Sequence, residues 1–446
     1  VPSSFKEAPG WQPAKPADDV ARGEWWTLFA DPILTDLEQR VATANQNVAA
    51  AVASYDQARA AVREQRAALF PTIDLSAGAT RAGSFGNSTP VISGGSGSGG
   101  VVTGGGGSSR RYTASIGASW EPDLFGRIRA SVQQAGALAE ASKADLLNVT
   151  LAAQGELALD YVQLRAIEAQ QESLNATVTA YTRALDITRN RYNAGVAAQT
   201  DVLQAETQLR NSRADAADLI RQRKILEHAI AVLVGVNPST FSLPSAPWNR
   251  TVAEVPAILP ATLLERRPDV AAAERRVSAA NAGIGIERSA FFPTIGLSGD
   301  IGTNSRSLSS LFTAASSVWS LGLTGALTLL DFGARSARVA QARAAYEQAV
   351  AQYRQTALTA FQQTEDALVA SRILGEVQSE RNAASLAANR NEQLILNQYL
   401  AGTISYTDVV SAQTAAQSAR RAEISATLDT QTNAIALIQA IGGHWQ

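Results

Sequence analysis

The chain has 446 residues, 46% of them hydrophobic, and its 38 basic and 40 acidic side chains leave a formal charge of −2. That balance, with no basic stripe to meet phosphates, argues against a nucleic-acid binder. There is no cysteine, and the two isolated histidines, His228 and His444, cannot build a histidine-based metal site of the common kind without carboxylate help; no metal or other cofactor is expected. The chain contains no methionine, from which we expect that an export signal once preceded Val1. No run approaches the roughly 18 apolar residues of a transmembrane helix, which leaves a β-barrel as the only route into a membrane.

In chain order, an N-terminal segment (1–32) leads into a helix predicted over Ile33–Leu69 and strands over 72–80 and 112–122. A helix over 127–193 and another over 200–234 complete a unit spanning 33–236. A connecting segment, 237–260, follows, and a second unit (261–443) repeats the order: helix 268–291, strands 294–302 and 318–330, helices 334–399 and 407–441, then a short tail, 444–446. Pro268 with Asp269 fits a helix first turn, where proline is tolerated and a carboxylate suits the dipole.

The duplication is visible in the residues. LFPTIDLS (Leu69 to Ser76) matches FFPTIGLS (Phe291 to Ser298) at a displacement of 222, whereas RYNAGVAAQTDV (Arg191 to Val202) matches QYLAGTISYTDV (Gln398 to Val409) at 207. Phe125-Gly126 and Phe332-Gly333 share the second displacement, so one insertion, the Gly/Ser tract from Ser93 to Ser109, accounts for both. That tract reads as a flexible loop. A repeat of this length exceeds solenoid periods and points to duplication of a domain-sized unit.

The long segments are helical by composition, with alanine about a fifth of the chain. Leu174, Val178, Tyr181, Leu185, Thr188 and Tyr192 follow a heptad seam, and Tyr346, Val350, Tyr353 and Ala357 begin another. The proline-free stretch from Arg127 to Asn193 would extend roughly 100 Å as a helix, too long for a globular domain of this size.

The strands alternate. Ile73, Leu75, Ala77 and Ala79 face away from Thr72, Asp74, Ser76 and Gly78, and the other three runs behave alike. Each is close to the span of a bilayer-crossing strand, apolar outside and polar inside. Four such strands cannot close a barrel and lipid tolerates no open edge, so the chain is expected to oligomerise. Two copies would leave an interior filled by side chains; three would leave a lumen, which the Ser, Thr and Gly of the polar faces favour. The expectation is a homotrimer.

These residues resemble the TolC-like outer-membrane channel family, and more closely its OprM/NodT branch of tripartite efflux pumps. The resemblance rests on GEWWTLFADPILTDL (Gly23 to Leu37), FPTI in both units, WEPDLFGRIRA (Trp120 to Ala130), the two turn sequences, and LPATLLERRPDVAAAERRVSAANAGIGIERSAFFPTI (Leu259 to Ile295). It implies an internally duplicated α+β membrane protein, with four strands per protomer in a trimeric 12-stranded barrel and long helices forming a periplasmic α-helical barrel. An equatorial band would come from the termini and the inter-repeat segment. The implied partners are outer-membrane lipid, a periplasmic adaptor and a proton-driven inner-membrane pump. Members of this branch often begin at a lipidated cysteine; this sequence holds no cysteine, so the anchor residue was either cut off or never there, lipidation stays open, and the barrel alone would suffice for insertion.

A conduit makes and breaks no bonds, so its important residues close it or dock partners. Gly195 and Gly402 stand where a helix ends in a left-handed residue, and Thr200-Asp201 and Thr407-Asp408 where the next could be capped. By the resemblance, Tyr406, Thr407 and Asp408, with Asp201, are candidates for a periplasmic gate, although the closest branch carries its acidic residue three positions later, at Ser411. Arg191, Tyr192, Gly195, Val196, Tyr399, Gly402 and Thr403 are candidates for adaptor docking; ordinary hairpin packing would explain the two tyrosines equally well. Asp74, Glu121 and Asp300 are expected to face the lumen, and Trp120 and Trp319 to serve aromatic girdles. The competing functions are a trimeric coiled-coil fibre, which needs no repeated alternating strands; an exit channel for type I secretion; and a barrel-borne enzyme, for which no nucleophile, base and orienting group gather near any turn.

Overall fold

The structure is a computed structural model that describes residues 23–82, 109–252 and 267–443. The N-terminal residues 1–22, most of the Gly/Ser tract, the end of the inter-repeat segment and His444 lie outside them. A 3-10 turn (Trp25–Phe29) precedes α1 (Pro32–Ala44), α2 (Gln46–Ala67), β1 (Thr72–Ala82), β2 (Ser109–Trp120), α3 (Arg127–Asn193) and α4 (Gln199–Leu233). Then come α5 (Pro268–Ser289), β3 (Thr294–Ser305), β4 (Ser317–Ala326), α6 (Ala334–Leu400) and α7 (Tyr406–Ala440). The bounds of α3 and α4 recur at α6 and α7 displaced by 207 at both ends. The chain divides into two compact units, one made of Val1–Ala58, Ala139–Val277 and Ala349–Gln446, the other of Arg59–Leu138 and Ser278–Gln348.

In the first unit the helices pack around Trp25, Phe29, Leu34, Leu37, Val41, Leu157, Tyr161, Leu164, Ile230, Ile435 and Ile438, all buried. Asp31 starts α1 by accepting from the Ile33 and Leu34 N–H groups at 2.9 and 3.2 Å, ahead of Pro32 at the first helical position. Its other oxygen accepts the Tyr161 hydroxyl at 2.6 Å, fixing α1 against α3. The inter-repeat segment is tied down by polar side chains. Gln431 on α7 donates to the carbonyls of Asn249 and Thr251 at 2.8 and 2.9 Å. Glu227 accepts the Leu243 N–H, and Arg223 donates to the Leu243 carbonyl.

The single helix expected over Ile33–Leu69 is two helices. Asn45, with ψ of 126°, breaks it: its side-chain oxygen accepts from the Asn47 and Val48 N–H groups and starts α2, while its amide donates to the Leu233 carbonyl at 2.9 Å. A polar residue that caps one helix and satisfies the end of another outcompetes the continuing ladder. The joint also needs Gly235: its φ is +69°, and a Cβ there would stand 2.3 Å from the Ala44 carbonyl oxygen.

The second unit holds an antiparallel sheet in the order β1-β2-β3-β4. Six strand ends differ from expectation: β1 runs on to Ala82 and β3 to Ser305, β2 begins earlier at Ser109 and β4 at Ser317, and the C-terminal ends of β2 and β4 stop short. β2 stops at Trp120 and β4 at Ala326, because their partners start at Thr72 and Thr294, each directly after a proline that cannot donate to a ladder. Leu327–Leu330 and Glu121 therefore lie outside the strands. One face carries Ile73 and Leu75, Ile116 and Trp120, Leu297 and Ile301, and Trp319, Leu321 and Leu323 in register. The opposite face carries Thr72, Ser76, Ser115, Ser119, Ser298, Ser320 and Thr324.

Candidate functional site

The two turns between long and short helices have one geometry. At the first, the Gly195 N–H bonds the Tyr192 carbonyl and the Val196 N–H the Arg191 carbonyl; at the second, Gly402 bonds Tyr399 and Thr403 bonds Gln398. The glycines hold φ of +75° and +77°. This double bond pattern terminates a helix through a left-handed residue, and glycine adopts that conformation without steric cost.

The side chains around the turns differ. Tyr399 and Tyr406 are 4% and 2% exposed and stack edge to face at 5.2 Å. With Tyr181, Leu185, Ala205, Leu209 and Val409 they form a compact cluster joining all four helix ends. Tyr406, a gate candidate by sequence, is thus a buried core residue of the protomer, and burial raises its hydroxyl pKa well above the ordinary value. Arg191 crosses from the first turn to the second: its Nη1 donates to the Tyr399 and Leu400 carbonyls at 3.2 and 3.3 Å, and its guanidinium lies 4.8 Å from the Tyr399 ring centroid. A cation on the last carbonyls of α6 suits the negative end of the helix dipole, adding a second donor to the Tyr399 carbonyl that Gly402 already bonds. Tyr192 and Val196 are exposed, as are Gly195, Gly402 and Thr403.

The expected caps are displaced. α4 and α7 begin two residues earlier than Asp201 and Asp408, so Ala198 and Ser405 occupy the cap positions and the aspartates the third helical position. Asp408 reaches back, its Oδ2 accepting the Ser405 N–H at 3.1 Å and the Ser405 hydroxyl at 2.7 Å. With the Ser405 side chain taking the Asp408 backbone N–H in return, this is the reciprocal arrangement of a capping box. Ala198 has no oxygen to offer, and α4 has no side-chain cap. Thr407 and Asp408 are exposed and Asp201 half-buried. Above the turns, Arg420 on α7 donates to Asn389 at 2.6 Å and to Thr177 at 3.3 Å and pairs with Glu392, tying α7 to α6 and α3. Sequence reasoning missed this tie, since no local pattern marks polar residues that only the fold brings together.

On the sheet, the register puts Asp74, Gly117, Asp300 and Ser320 on one rung of the polar face. Glu121, expected beside them, lies past the strand end and pairs with Arg127, Oε1 to Nη2, at 2.9 Å. Trp120 ends the apolar face, its indole N–H donating to the Leu69 carbonyl at 3.0 Å. Trp319 stands at the level of Leu75, Ile116 and Ile301, 79% exposed. Among the described residues no group of histidines and carboxylates could hold a metal ion, and no helix is long and apolar enough to cross a membrane.

The comparisons with known proteins agree with this architecture. The family model described as Outer membrane efflux protein matches residues 37–236 and 259–443, the two repeats. The probable efflux pump outer membrane protein TtgC of Pseudomonas putida is 30% identical over 450 residues, covering 100% of this chain and 90% of the relative. Among solved structures, the outer-membrane channel OprN superposes with a TM-score of 0.88 at 28% identity, covering 99% of this chain and 96% of that one. The CmeC outer-membrane channel of Campylobacter jejuni shares the fold, with a TM-score of 0.90 at 20% identity over 100% of this chain and 93% of that one. With its duplicated TolC-like fold and a matching model over both repeats, the chain belongs to the outer membrane efflux protein family and is an efflux channel of the Gram-negative outer membrane.

Proposed function

We propose that three copies of this chain close a 12-stranded barrel, that the helices extend into the periplasm, and that the assembly is a passive exit duct of a tripartite pump. The observation that carries this reading is the sheet: one face is apolar across all four strands, and β1 and β4 each present an unpaired edge. Lipid accepts the apolar face, but an open edge leaves backbone groups without partners, and pairing β4 of one copy with β1 of the next satisfies them. A coiled-coil fibre would have no use for such a sheet.

The turns are the proposed meeting point with a periplasmic adaptor, offering Tyr192, Gly195, Val196, Gly402 and Thr403, with Arg191 and Tyr399 supporting from within. Thr407 and Asp408, with Asp201, are the proposed lining of the periplasmic mouth, and Tyr406 anchors the helix that carries them. The partner we assign is a proton-driven inner-membrane pump. Relatives named as toluene, solvent and antibiotic efflux proteins support small organic molecules as cargo.

Planar-bilayer conductance of the purified particle, with its mass, tests the reading. The expected result is a trimer of small conductance that rises in Asp408→Ala and Tyr406→Ala. A single subunit, or a particle without conductance, would overturn the duct; unchanged conductance in both variants would remove the gate assignment.

A further inference from the structure

The outer ends of the hairpins carry a charge pattern that transport does not explain. Between Asp74 and Glu121 the sequence has no acidic residue, and between Asp300 and Asp331 it has none either; the basic residues in those two stretches are Arg81, Arg110, Arg111 and Arg306. The register gathers all four. Arg81 is the direct cross-strand partner of Arg110, Arg111 pairs with Thr80 one step inward, and Arg306 directly follows Ser305, the partner of Tyr112. All four are exposed.

Strand alternation separates them by face. Arg81 continues the row Ile73, Leu75, Ala77, Ala79, and Arg110 the row Trp120, Ala118, Ile116, Ala114, Tyr112, so this pair sits on the apolar face. Like charges directly opposite each other in a sheet repel, and the described residues provide no carboxylate to offset them. An anion held between the two guanidinium forks turns the repulsion into four-pronged recognition; a carboxylate has two oxygens, enough for one fork, whereas a phosphate has the oxygens to meet both at once.

Position then selects the source of the phosphate. Arg81 lies nine residues beyond Thr72, or about 30 Å along the strand; at the tilt usual for membrane barrels this is about 24 Å of height, close to the full apolar band. Tyr112, two residues inside Arg110 on the same face, is placed for the aromatic girdle at that boundary. The pair thus stands at the headgroup level of the leaflet remote from the helices.

We propose that Arg81 and Arg110, supported by the field of Arg111 and Arg306, seat a phosphate of the phosphorylated glycolipid, lipid A, that forms the outer leaflet. The assignment rests on the membrane orientation proposed above.

The test uses full-length protein extracted from the outer membrane, delipidated, and placed in phosphatidylcholine nanodiscs. It is titrated with bis-phosphorylated lipid A, with lipid A freed of both phosphates, with phosphatidylglycerol and with inorganic phosphate. Wild type should bind bis-phosphorylated lipid A about tenfold more tightly than the dephosphorylated form, and the double variant Arg81→Gln/Arg110→Gln should lose that difference, as expected for two charge-assisted forks. Arg81→Lys/Arg110→Lys keeps the charge without the forks and should fall between; it also carries the test if the glutamine variant does not insert. Equal binding by wild type and both variants, phosphatidylglycerol binding as tight as lipid A, or displacement by millimolar inorganic phosphate would each overturn the assignment. Failure of the wild type to insert and conduct would instead overturn the barrel reading, whereas insertion with conductance and no arginine dependence sinks this inference alone.

Discussion

The two turns are copies of one backbone with different interiors. At the second, Tyr399 and Tyr406 fill the space between helix ends; at the first, the residues displaced by 207 are Tyr192, 42% exposed, and Gln199, also exposed. Asp408 is held by Ser405, while Asp201 faces Ala198 and has no cap to hold. Duplication preserved what the peptide chain demands, a left-handed glycine and a restart four residues later, and left the side chains to specialise. The second turn became the internal anchor, and the first presents its aromatic ring outward.

The aromatic pair offers the sharpest contrast. Tyr406→Ala removes a buried ring from the cluster of Tyr181, Leu209 and Val409 and should cost about 3 kcal/mol, while Gln199→Ala at the equivalent position of the first turn should change stability by less than about 0.5 kcal/mol. Thermal unfolding of the purified protein, with hydrogen exchange at the turn amides, reads both. Similar losses at the two positions would mean that the interiors are not specialised.

The glycines test the half of the comparison that was conserved. Both hold the left-handed conformation, and a Cβ would find open space at Gly195 and only the Arg191 guanidinium, at 3.9 Å, near Gly402. Gly195→Ala and Gly402→Ala should therefore each cost about 1 to 2 kcal/mol, nearly equally. A much larger loss at Gly402 would show that the Arg191 bridge, and not the backbone, governs the second turn.

What the sequence made legible follows the same division. The turn glycines, the long helices and the strand faces were readable because each is dictated locally, by a backbone conformation, a period of 3.6 or a period of 2. The break at Asn45 was not, because the feature that decides it, the Leu233 carbonyl accepting the Asn45 amide, lies 188 residues away in sequence. Burial of Tyr406 and the Arg420 tie were hidden for the same reason. Ser405 was a different kind of miss: Ser-x-x-Asp before an apolar-periodic run is a local signal, and reading Thr407-Asp408 as the helix start passed over it. Glu121 was misplaced because alternation continues past Trp120 although the ladder partner has ended.

The cap supplies the smallest effect and the finest discrimination. Ser405→Ala removes a hydroxyl donor to Asp408 and should cost about 1 kcal/mol of local stability at the second turn. The reverse change at the first turn, Ala198→Ser, places a hydroxyl where Asp201 already stands at the third helical position, so a reciprocal box can form there and should gain about 0.5 to 1 kcal/mol. The gain carries a functional cost if Asp201 belongs to the mouth of the duct: a carboxylate engaged by its own helix start presents less free charge to a passing ion. Ala198→Ser should then slow exchange of the α4 amides and at the same time reduce the cation preference of the conductance, whereas stabilisation with unchanged ion preference would separate Asp201 from the mouth and leave Asp408 as the carboxylate assigned there.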